Sequence, residues 1–341
     1  MSQISQKTRE WRDVSVSTFR NEIVTQYRPA LLKGAVADWP IVREALAAPD
    51  AICGALLRYD SGARVSAFIA PPSAKGRFFY RDDMRGMNFE QVQLPFAQAI
   101  QRLRSLSRAE NPEGFYVGSA PAPDCLPRAL PDLRFDLVPP GTPPRLWLGN
   151  RTVIAPHFDL SDNIACVVAG RRRFTFFPPD QVENLYVGPL EFTPAGQPCS
   201  MVDLKAPDFA RYPRFATALE HAEHADLEPG DAIYIPYMWW HHVEAFDAIN
   251  MLVNYWWNDA GTGGGAGLEA LIYAILAIKP IPKERREMWR KFFDHYIFEE
   301  NGDPAAHLDL SARGILSPMT PGLERFLLSA LQKMVAARQR T

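Results

Sequence analysis

The chain has 341 residues, of which 47% are hydrophobic and 22% charged, and its formal net charge is −2. This length and composition exclude a globally disordered chain, and the near-neutral charge offers no basic field of the kind that indicates nucleic-acid binding. The 30 prolines outnumber the 21 glycines, which argues against a helical bundle because proline interrupts helices.

Cysteine usage and apolar run lengths bear on where the protein resides. Cys53, Cys125, Cys166 and Cys199 are far apart and form no C-x-x-C pair, so neither a thiolate zinc site nor a disulfide framework is predicted. No apolar run is long enough for a membrane span, and residues 1–13 lack the apolar core of a signal peptide. We therefore expect a soluble, cytoplasmic protein.

The first 144 residues alternate extended and helical patterns. The run RPALLKG at 28–34 is typical of an extended segment closed by a turn. We predict strands over 64–70, 77–80 and 114–117, and a helix over 95–106. Eight prolines fall between residues 120 and 144, and this density predicts a long ordered loop without regular structure.

The stretch from 145 to 259 contains short β-rich runs separated by turns such as the Pro-Gly-Asp turn at 229–231, which predicts a sandwich or barrel. A glycine-rich break at 261–267 follows, and the remaining sequence has helical periodicity, including an apolar stripe between residues 323 and 334. We predict a mainly β domain over 1–260, with an N-terminal extension, and a C-terminal helical region over 261–341.

The first motif with chemical content is His157-Phe158-Asp159. Residues two apart on a strand face the same side, so the imidazole and the carboxylate can converge on one metal ion while Phe158 points away. A hydrogen-bonded His–Asp pair is the alternative interpretation of this motif.

The second motif is the run LEPGDAIYIPYMWWHHV at 227–243. Its Pro-Gly-Asp turn starts a strand, and an aromatic pair then brings His241 to the rim of the β structure. Two imidazoles and one carboxylate with open positions form the facial triad of non-haem Fe(II) oxygenases. Zinc hydrolases use similar ligands, so the triad alone leaves the metal open.

The motifs in this region resemble those of the JmjC/cupin-like family of 2-oxoglutarate-dependent oxygenases, including its asparaginyl-hydroxylase branch and bacterial cupin-like relatives. The similar stretches are APHFDLSDN at 155–163, AGRRRFTFFPPDQ at 169–181, YIPYMWWHHVE at 234–244 and VNYWW at 253–257. The resemblance implies a double-stranded β-helix, or jelly roll. It also implies an Fe(II)- and 2-oxoglutarate-dependent dioxygenase that consumes O2, releases succinate and CO2, and hydroxylates or demethylates its substrate.

The resemblance also implies roles for individual residues. His157, Asp159 and His241 match the iron ligands, and the family pattern leaves His242 as a structural neighbour. Arg172 matches the lysine that binds the distal carboxylate of 2-oxoglutarate. Its alternation with Phe174 on the strand places it toward an apolar interior, where an arginine can bind a carboxylate with two hydrogen bonds.

Further positions match the surroundings of the family's iron and cosubstrate. Two departures, Gly118 for a glutamine and Ile154 for a threonine, separate this chain from the asparaginyl hydroxylase. Asn163, Tyr116 and Asn254 match the family's cosubstrate contacts, and the alternative interpretation of each is an ordinary hydrogen-bonded core residue. Trp256 shares a strand face with Asn254, as Phe174 does with Arg172, so both are predicted to form walls of the pocket.

The substrate is left open between a protein or peptide and a small molecule, and Trp239 and Trp240 are predicted to form an aromatic rim suited to a peptide. The C-terminal helices resemble dimerising helices in placement, so a homodimer is one interpretation and packing on the chain's own β core is the other.

Two rival hypotheses keep the cupin fold. One is a zinc or manganese isomerase or hydrolase, and the other is a non-catalytic binding module. A separate metal site is conceivable at His221 and His224 if the run EHAEH at 220–224 is helical, although a solvated helix is the simpler interpretation.

Overall fold

The computed structural model describes residues 4–48, 50–194, 196–258 and 267–339. The chain divides into two compact units, Met1–Trp257 and Asn258–Thr341. The boundary predicted between residues 260 and 261 lies outside the described residues. None of the described helices is both long and apolar enough to cross a lipid bilayer.

The described part of the first unit contains fifteen strands. In chain order they are β1 (Gln6–Lys7), β2 (Glu10–Arg12), β3 (Ala30–Lys33), β4 (Arg64–Ala70), β5 (Arg77–Phe78), β6 (Glu90–Pro95), β7 (Gly114–Pro121), β8 (Pro144–Gly149), β9 (Val153–His157), β10 (Asp162–Ala169), β11 (Arg172–Phe177), β12 (Glu223–Leu227), β13 (Ala232–Ile235), β14 (Trp240–Ala245) and β15 (Asn250–Trp257).

Helices lie before, between and after these strands. The described α-helices are α1 (Val16–Thr18), α2 (Pro40–Ala47), α3 (Ala51–Tyr59), α4 (Phe96–Leu106), α5 (Ala122–Cys125), α6 (Phe215–Glu220), α7 (Gly267–Ala277), α8 (Lys283–Tyr296) and α9 (Pro321–Arg338). The last begins with a capping hydrogen bond, in which the Leu323 amide donates to the Thr320 hydroxyl at 3.2 Å.

The strands form two mixed sheets. Nine lie in the order β2-β3-β13-β10-β15-β8-β7-β4-β6, and six in the order β1-β12-β11-β14-β9-β5. Apolar residues of the two sheets pack between them, with Phe174 and Phe176 of β11 in one cluster with Ile233 and Leu252. This sandwich confirms the predicted jelly roll with a C-terminal helical region.

The other face of the nine-stranded sheet carries the largest apolar cluster, which includes residues of α2, α3 and α4. Strand β10 shows why both faces are covered. Ile164 and Cys166 join this cluster, whereas Ala165 and Val167 belong to the cluster between the sheets. A strand buried on both faces needs an uninterrupted apolar sequence, and DNIACVVA supplies one after its two polar residues.

The Pro-Gly-Asp turn starts β13 as predicted. Gly230 has a φ of +100°, a conformation that favours glycine. The buried Asp231 carboxylate accepts hydrogen bonds from the Lys33 ammonium at 2.7 Å and from the backbone amides of Gly34 and Glu228 at 3.0 and 2.9 Å. The turn is thereby fixed to the end of β3, which pairs with β13.

Several local predictions hold, and three need correction. The strand over 64–70 is confirmed by β4, and the helix over 95–106 by α4. The strand predicted over 77–80 ends at Phe78, because Phe79 and Tyr80 turn into a cluster with Ala155 and Cys199.

The second correction concerns the proline-rich segment over 120–144. It is partly helical, with α5 and a 3₁₀-helix over Pro127–Leu133, since proline in a first helical turn has the required φ and loses no hydrogen bond. The third concerns EHAEH: α6 ends at Glu220, and His224 lies on β12. Pairing of that segment with β11 overrides its helical composition.

Candidate metal centre

His157 is the last residue of β9 and Asp159 lies two residues beyond it, where the ladder with β14 is irregular. His157 pairs with His241 of β14, but the next pair is Val243 with Ile154, so the β9 strand has one residue more than β14 between these pairs. Such a bulge redirects the following side chain. Phe158 points to the opposite side and packs against Trp240 with ring centroids 4.8 Å apart, as the alternation predicts.

The three predicted ligands converge. One donor atom from each of His157, Asp159 and His241 lies within 4.8 Å of the others, and the described residues contain no other such group of three. The two imidazole centroids are 4.2 Å apart, and His241 Nε2 lies 3.7 Å from Asp159 Oδ2. Asp159 is further held in place because its carbonyl oxygen accepts a hydrogen bond from the Met238 amide at 3.0 Å.

Both imidazoles are oriented for metal binding through Nε2. Nδ1 of His157 lies 2.9 Å from the Ala155 carbonyl oxygen, and Nδ1 of His241 lies 3.0 Å from that of Trp239. A carbonyl accepts only, so each Nδ1 carries a proton and each Nε2 is the nitrogen left to bind a metal. Burial, reinforced by the neighbouring His157, lowers the pKa of His241 to about 4, so this imidazole is neutral near pH 7.

These features fit a divalent transition metal. Two neutral imidazoles and one carboxylate, with the rest of the cavity open, are the donor set of non-haem Fe(II). Two lone-pair nitrogens and a carboxylate oxygen that face one another without direct hydrogen bonds between them leave a place that a cation would occupy.

The triad opens into a cavity of about 150 Å³ between the two sheets. Every site residue predicted from the sequence lines it. Beside the triad, these are Arg172, Asn163, Tyr116, Asn254, Trp256 and Phe174. The structure thus brings together residues from β7, β9, β10, β11, β14 and β15.

Arg172 brings a positive charge into this cavity. It is 3% exposed, and its Nε and Nη2 atoms are buried without a hydrogen bond to any described residue. Its neighbours Arg171 and Arg173 face outward and pair with Asp247 and Asp226, as the alternation predicts. Burial lowers the pKa of Arg172 and raises that of the nearby Tyr116 hydroxyl. A buried guanidinium of this kind requires an anion.

The prediction that Trp239 and Trp240 form an exposed aromatic rim is not borne out. Trp239 and Trp240 do not form an aromatic rim, because they are 4% and 2% exposed and the Trp239 indole donates to the Tyr27 carbonyl oxygen at 2.9 Å. That prediction was wrong, since both rings fill apolar clusters.

His242 is buried beside the centre but outside the triad, with Nδ1 3.9 Å from Glu244 Oε1, as expected of a structural neighbour.

The sequence did not indicate several residues that line the cavity. Trp147 of β8 and Phe78 of β5 reach it from strands with no chemical motif, and Pro194, Gln197 and Cys199 reach it from the long segment between β11 and β12. Gln197 Oε1 is buried without a hydrogen bond to the described part of the chain. An irregular segment has no periodicity, so its contribution was not predictable.

Comparison of the sequence with known proteins identifies a family and several relatives. A model of the cupin-like domain matches residues 16–263. A lysine-specific demethylase of Arabidopsis thaliana is 35% identical over 103 residues, 30% of this chain and 18% of that protein.

Two longer matches have lower identity. The tRNA wybutosine-synthesizing protein 5 of Danio rerio is 27% identical over 264 residues, 72% of this chain and 74% of that protein. A human bifunctional peptidase and (3S)-lysyl hydroxylase is 27% identical over 275 residues, 70% of this chain and 80% of that protein.

Proposed function

The chain belongs to the cupin-like domain family, and from this membership and its metal centre we propose an Fe(II)- and 2-oxoglutarate-dependent dioxygenase that hydroxylates its substrate. The observation that carries the proposal is one cavity in which the triad and the unpartnered Arg172 nitrogens occur together. Homologues of the JmjC type use Fe(II) and 2-oxoglutarate. The net reaction converts substrate, 2-oxoglutarate and O2 into hydroxylated substrate, succinate and CO2.

Each group of the cavity has a defined task in this proposal. His157, Asp159 and His241 hold the metal, and Arg172 binds the distal carboxylate of 2-oxoglutarate, with the Tyr116 hydroxyl beside it. When bound, the metal and the keto acid together supply the oxidation of a C–H bond by O2. The apolar walls, among them Phe174 and Trp256, exclude water from the reacting groups.

We expect the substrate to be a protein side chain, with a small molecule as the alternative. Two of the three relatives named above carry lysine chemistry in their names, and the third is named for the synthesis of a tRNA base. The net charge of −2 does not favour a polynucleotide as the substrate.

For the cellular location we propose the cytoplasm. The four cysteines are free and buried, which fits a reducing compartment.

Charge-transfer absorption and succinate release test the activity. Anaerobic addition of Fe(II) and then 2-oxoglutarate to the full chain is expected to produce a visible metal-to-ligand charge-transfer band, because the keto acid chelates the iron. Admission of O2 should then yield succinate. With Zn(II) in place of Fe(II) neither signal should appear, and a protein that gives neither signal with Fe(II) would be a cupin of another class.

We also propose that the C-terminal unit dimerises two copies of the chain. Helices α7, α8 and α9 contain no buried residue among those described. Helix α8 instead exposes an apolar stripe, made by Met288, Trp289, Phe292, Phe293 and Tyr296. Exposed apolar surfaces of this extent mark protein interfaces.

Light scattering on full-length protein tests the dimer. We expect a mass near twice the 38.4 kDa of one chain and a monomer for Phe292→Glu, which places a charge in the stripe. Arg290→Ala, a substitution of an exposed residue on the same helix, serves as the control and should remain dimeric. A monomeric wild type, or a dimer unaffected by Phe292→Glu, would contradict this assignment.

A further inference from the structure

A chain of hydrogen bonds runs from Trp147 to the metal-binding carboxylate. The Trp147 indole donates to Asn254 Oδ1 at 2.6 Å, Asn254 Nδ2 donates to Asn163 Oδ1 at 3.1 Å, and Asn163 Nδ2 donates to Asp159 Oδ2 at 3.5 Å. The two asparagines are 2% and 5% exposed, so their amides are almost wholly removed from bulk solvent. The chain therefore connects the wall of the cavity to the metal centre.

The strand register explains how distant residues meet. Strands β10, β15 and β8 are neighbours in the nine-stranded sheet. Asn254 stands opposite Ala165 of β10, two residues from Asn163, and Trp147 of β8 stands opposite Leu252, two residues from Asn254. Diagonal neighbours on one sheet face are within reach of long side chains. All three residues line the same cavity.

The two ends of the chain determine the direction of every bond in it. An indole N–H only donates, and an ionised carboxylate only accepts. Asn254 must therefore turn its oxygen toward Trp147 and its nitrogen toward Asn163. Asn163 must in turn present its own nitrogen to Asp159. With both ends fixed, only one orientation of each amide satisfies all the buried groups.

Removal of the indole donor leaves Asn254 Oδ1 without its hydrogen bond and frees that end of the chain. Without Trp147 the Asn254 carboxamide can turn away from Asn163. Asn163 then loses the partner that holds its own amide in line with the Asp159 carboxylate. The remaining support of Asp159 would then come from Trp256, whose indole donates to the same oxygen at 3.2 Å.

Aromatic packing keeps the Trp147 indole in place. Its ring meets Trp256 edge to face, with centroids 5.6 Å apart at 85°, and lies 5.9 Å from the Tyr116 ring at 31°. A phenylalanine at this position keeps an aromatic ring against both neighbours but has no donor. The hydrogen bond can therefore be removed with most of the packing retained.

We infer that Trp147 is a positioning residue, which acts through Asn254 and Asn163 to hold the Asp159 carboxylate toward the metal. The inference rests on the proposed function, since it takes Asp159 as a metal ligand. Trp147 is not a metal ligand, but by this inference it influences the affinity of the site for the metal. Partners of metal ligands commonly change metal affinity by about 10–100-fold when they are lost.

Co(II) is the probe for this inference, because its visible spectrum reports ligand geometry without 2-oxoglutarate or turnover. We expect Trp147→Phe to weaken Co(II) binding about tenfold, at the low end of that range, and to alter the Co(II) spectrum. Tyr255→Phe is the matched control. Tyr255 is adjacent to Asn254 but faces away from the cavity, and its hydroxyl donates to the Leu133 carbonyl oxygen. Loss of this hydroxyl should leave Co(II) binding unchanged.

A double substitution shows whether Trp147 acts through Asn254. Asn254→Ala should weaken Co(II) binding at least as much as Trp147→Phe, and the double variant should equal Asn254→Ala, since coupled residues are not additive. Should Trp147→Phe fail to fold, Asn254→Ala against the Tyr255→Phe control makes the same test of the chain.

Each outcome distinguishes the two proposals. A folded Trp147→Phe protein with wild-type Co(II) affinity and spectrum, or additive effects in the double variant, would overturn the positioning role. A wild-type protein that binds Co(II) but makes no succinate with Fe(II) would overturn the proposed function and leave the positioning role standing. Failure of the wild type to bind Co(II) would overturn both.

Discussion

Replacement of Asp159 with alanine is expected to lower Fe(II)-dependent succinate formation by more than about 100-fold, because loss of a ligand should exceed the 10–100-fold effect of losing a ligand's partner. Asp159 is the carboxylate of the triad and lies beside the imidazoles of His157 and His241. Without it, two neutral donors remain to hold a divalent cation. Fe(II) content after gel filtration and succinate yield measure the effect.

Asp226→Ala is the control for the ligand substitution. Asp226 pairs with Arg173 on the outer face of the sheet, and both side chains are about half exposed. Exposed pairs contribute only about 0–1 kcal/mol to stability, so this variant should keep its iron and its turnover. Retention of wild-type iron content and succinate yield by Asp159→Ala would contradict the assignment of the triad.

Arg172→Met is expected to change 2-oxoglutarate binding and stability in opposite directions. Truncation of one partner of a buried, hydrogen-bonded charge pair costs about 2–5 kcal/mol, so the KM for 2-oxoglutarate should rise about 30-fold or more. The ligand-free protein should become more stable, because an unpartnered buried charge is replaced by an apolar chain of similar length. A general packing defect would instead lower both the affinity for 2-oxoglutarate and the stability of the ligand-free protein.

Thermal unfolding with and without 2-oxoglutarate measures the stability and the stabilisation by the ligand, and succinate formation at varied 2-oxoglutarate concentration gives the KM. The wild type should be stabilised by the ligand, whereas Arg172→Met should start at a higher Tm and gain little. Arg172→Lys retains the charge and should recover part of the affinity. Arg173→Met removes the adjacent, outward-facing arginine and should leave the KM unchanged. A wild-type KM in Arg172→Met would exclude Arg172 from cosubstrate binding.

The metal centre was predictable because its information is local. The spacing of His157 and Asp159 and the Pro-Gly-Asp turn that precedes the strand of His241 are all visible in short stretches of sequence. The same is true of Arg172, since alternation along β11 assigns it to the interior and its neighbours to the surface. The structure places these residues together as that reasoning predicts.

Asn163 and Asn254 were predicted to lie at the site, but the contacts by which they support the metal ligands were not predictable, because the information for them is spread along the chain. Trp147 and Asn254 are 107 positions apart and meet only through the register of β8 and β15, which neither strand specifies alone. Trp239 and Trp240 illustrate the converse. Their position beside a ligand indicated an exposed rim, but apolar burial of large rings determined where they pack.

One crystallographic experiment tests the central claim most directly. Crystals soaked anaerobically with Fe(II) and 2-oxoglutarate should show the metal bound by His157, Asp159 and His241, and the distal carboxylate of 2-oxoglutarate within hydrogen-bonding distance of the Arg172 guanidinium. Metal bound elsewhere, or a distal carboxylate that pairs with another cation while Arg172 stays unpartnered, would contradict it.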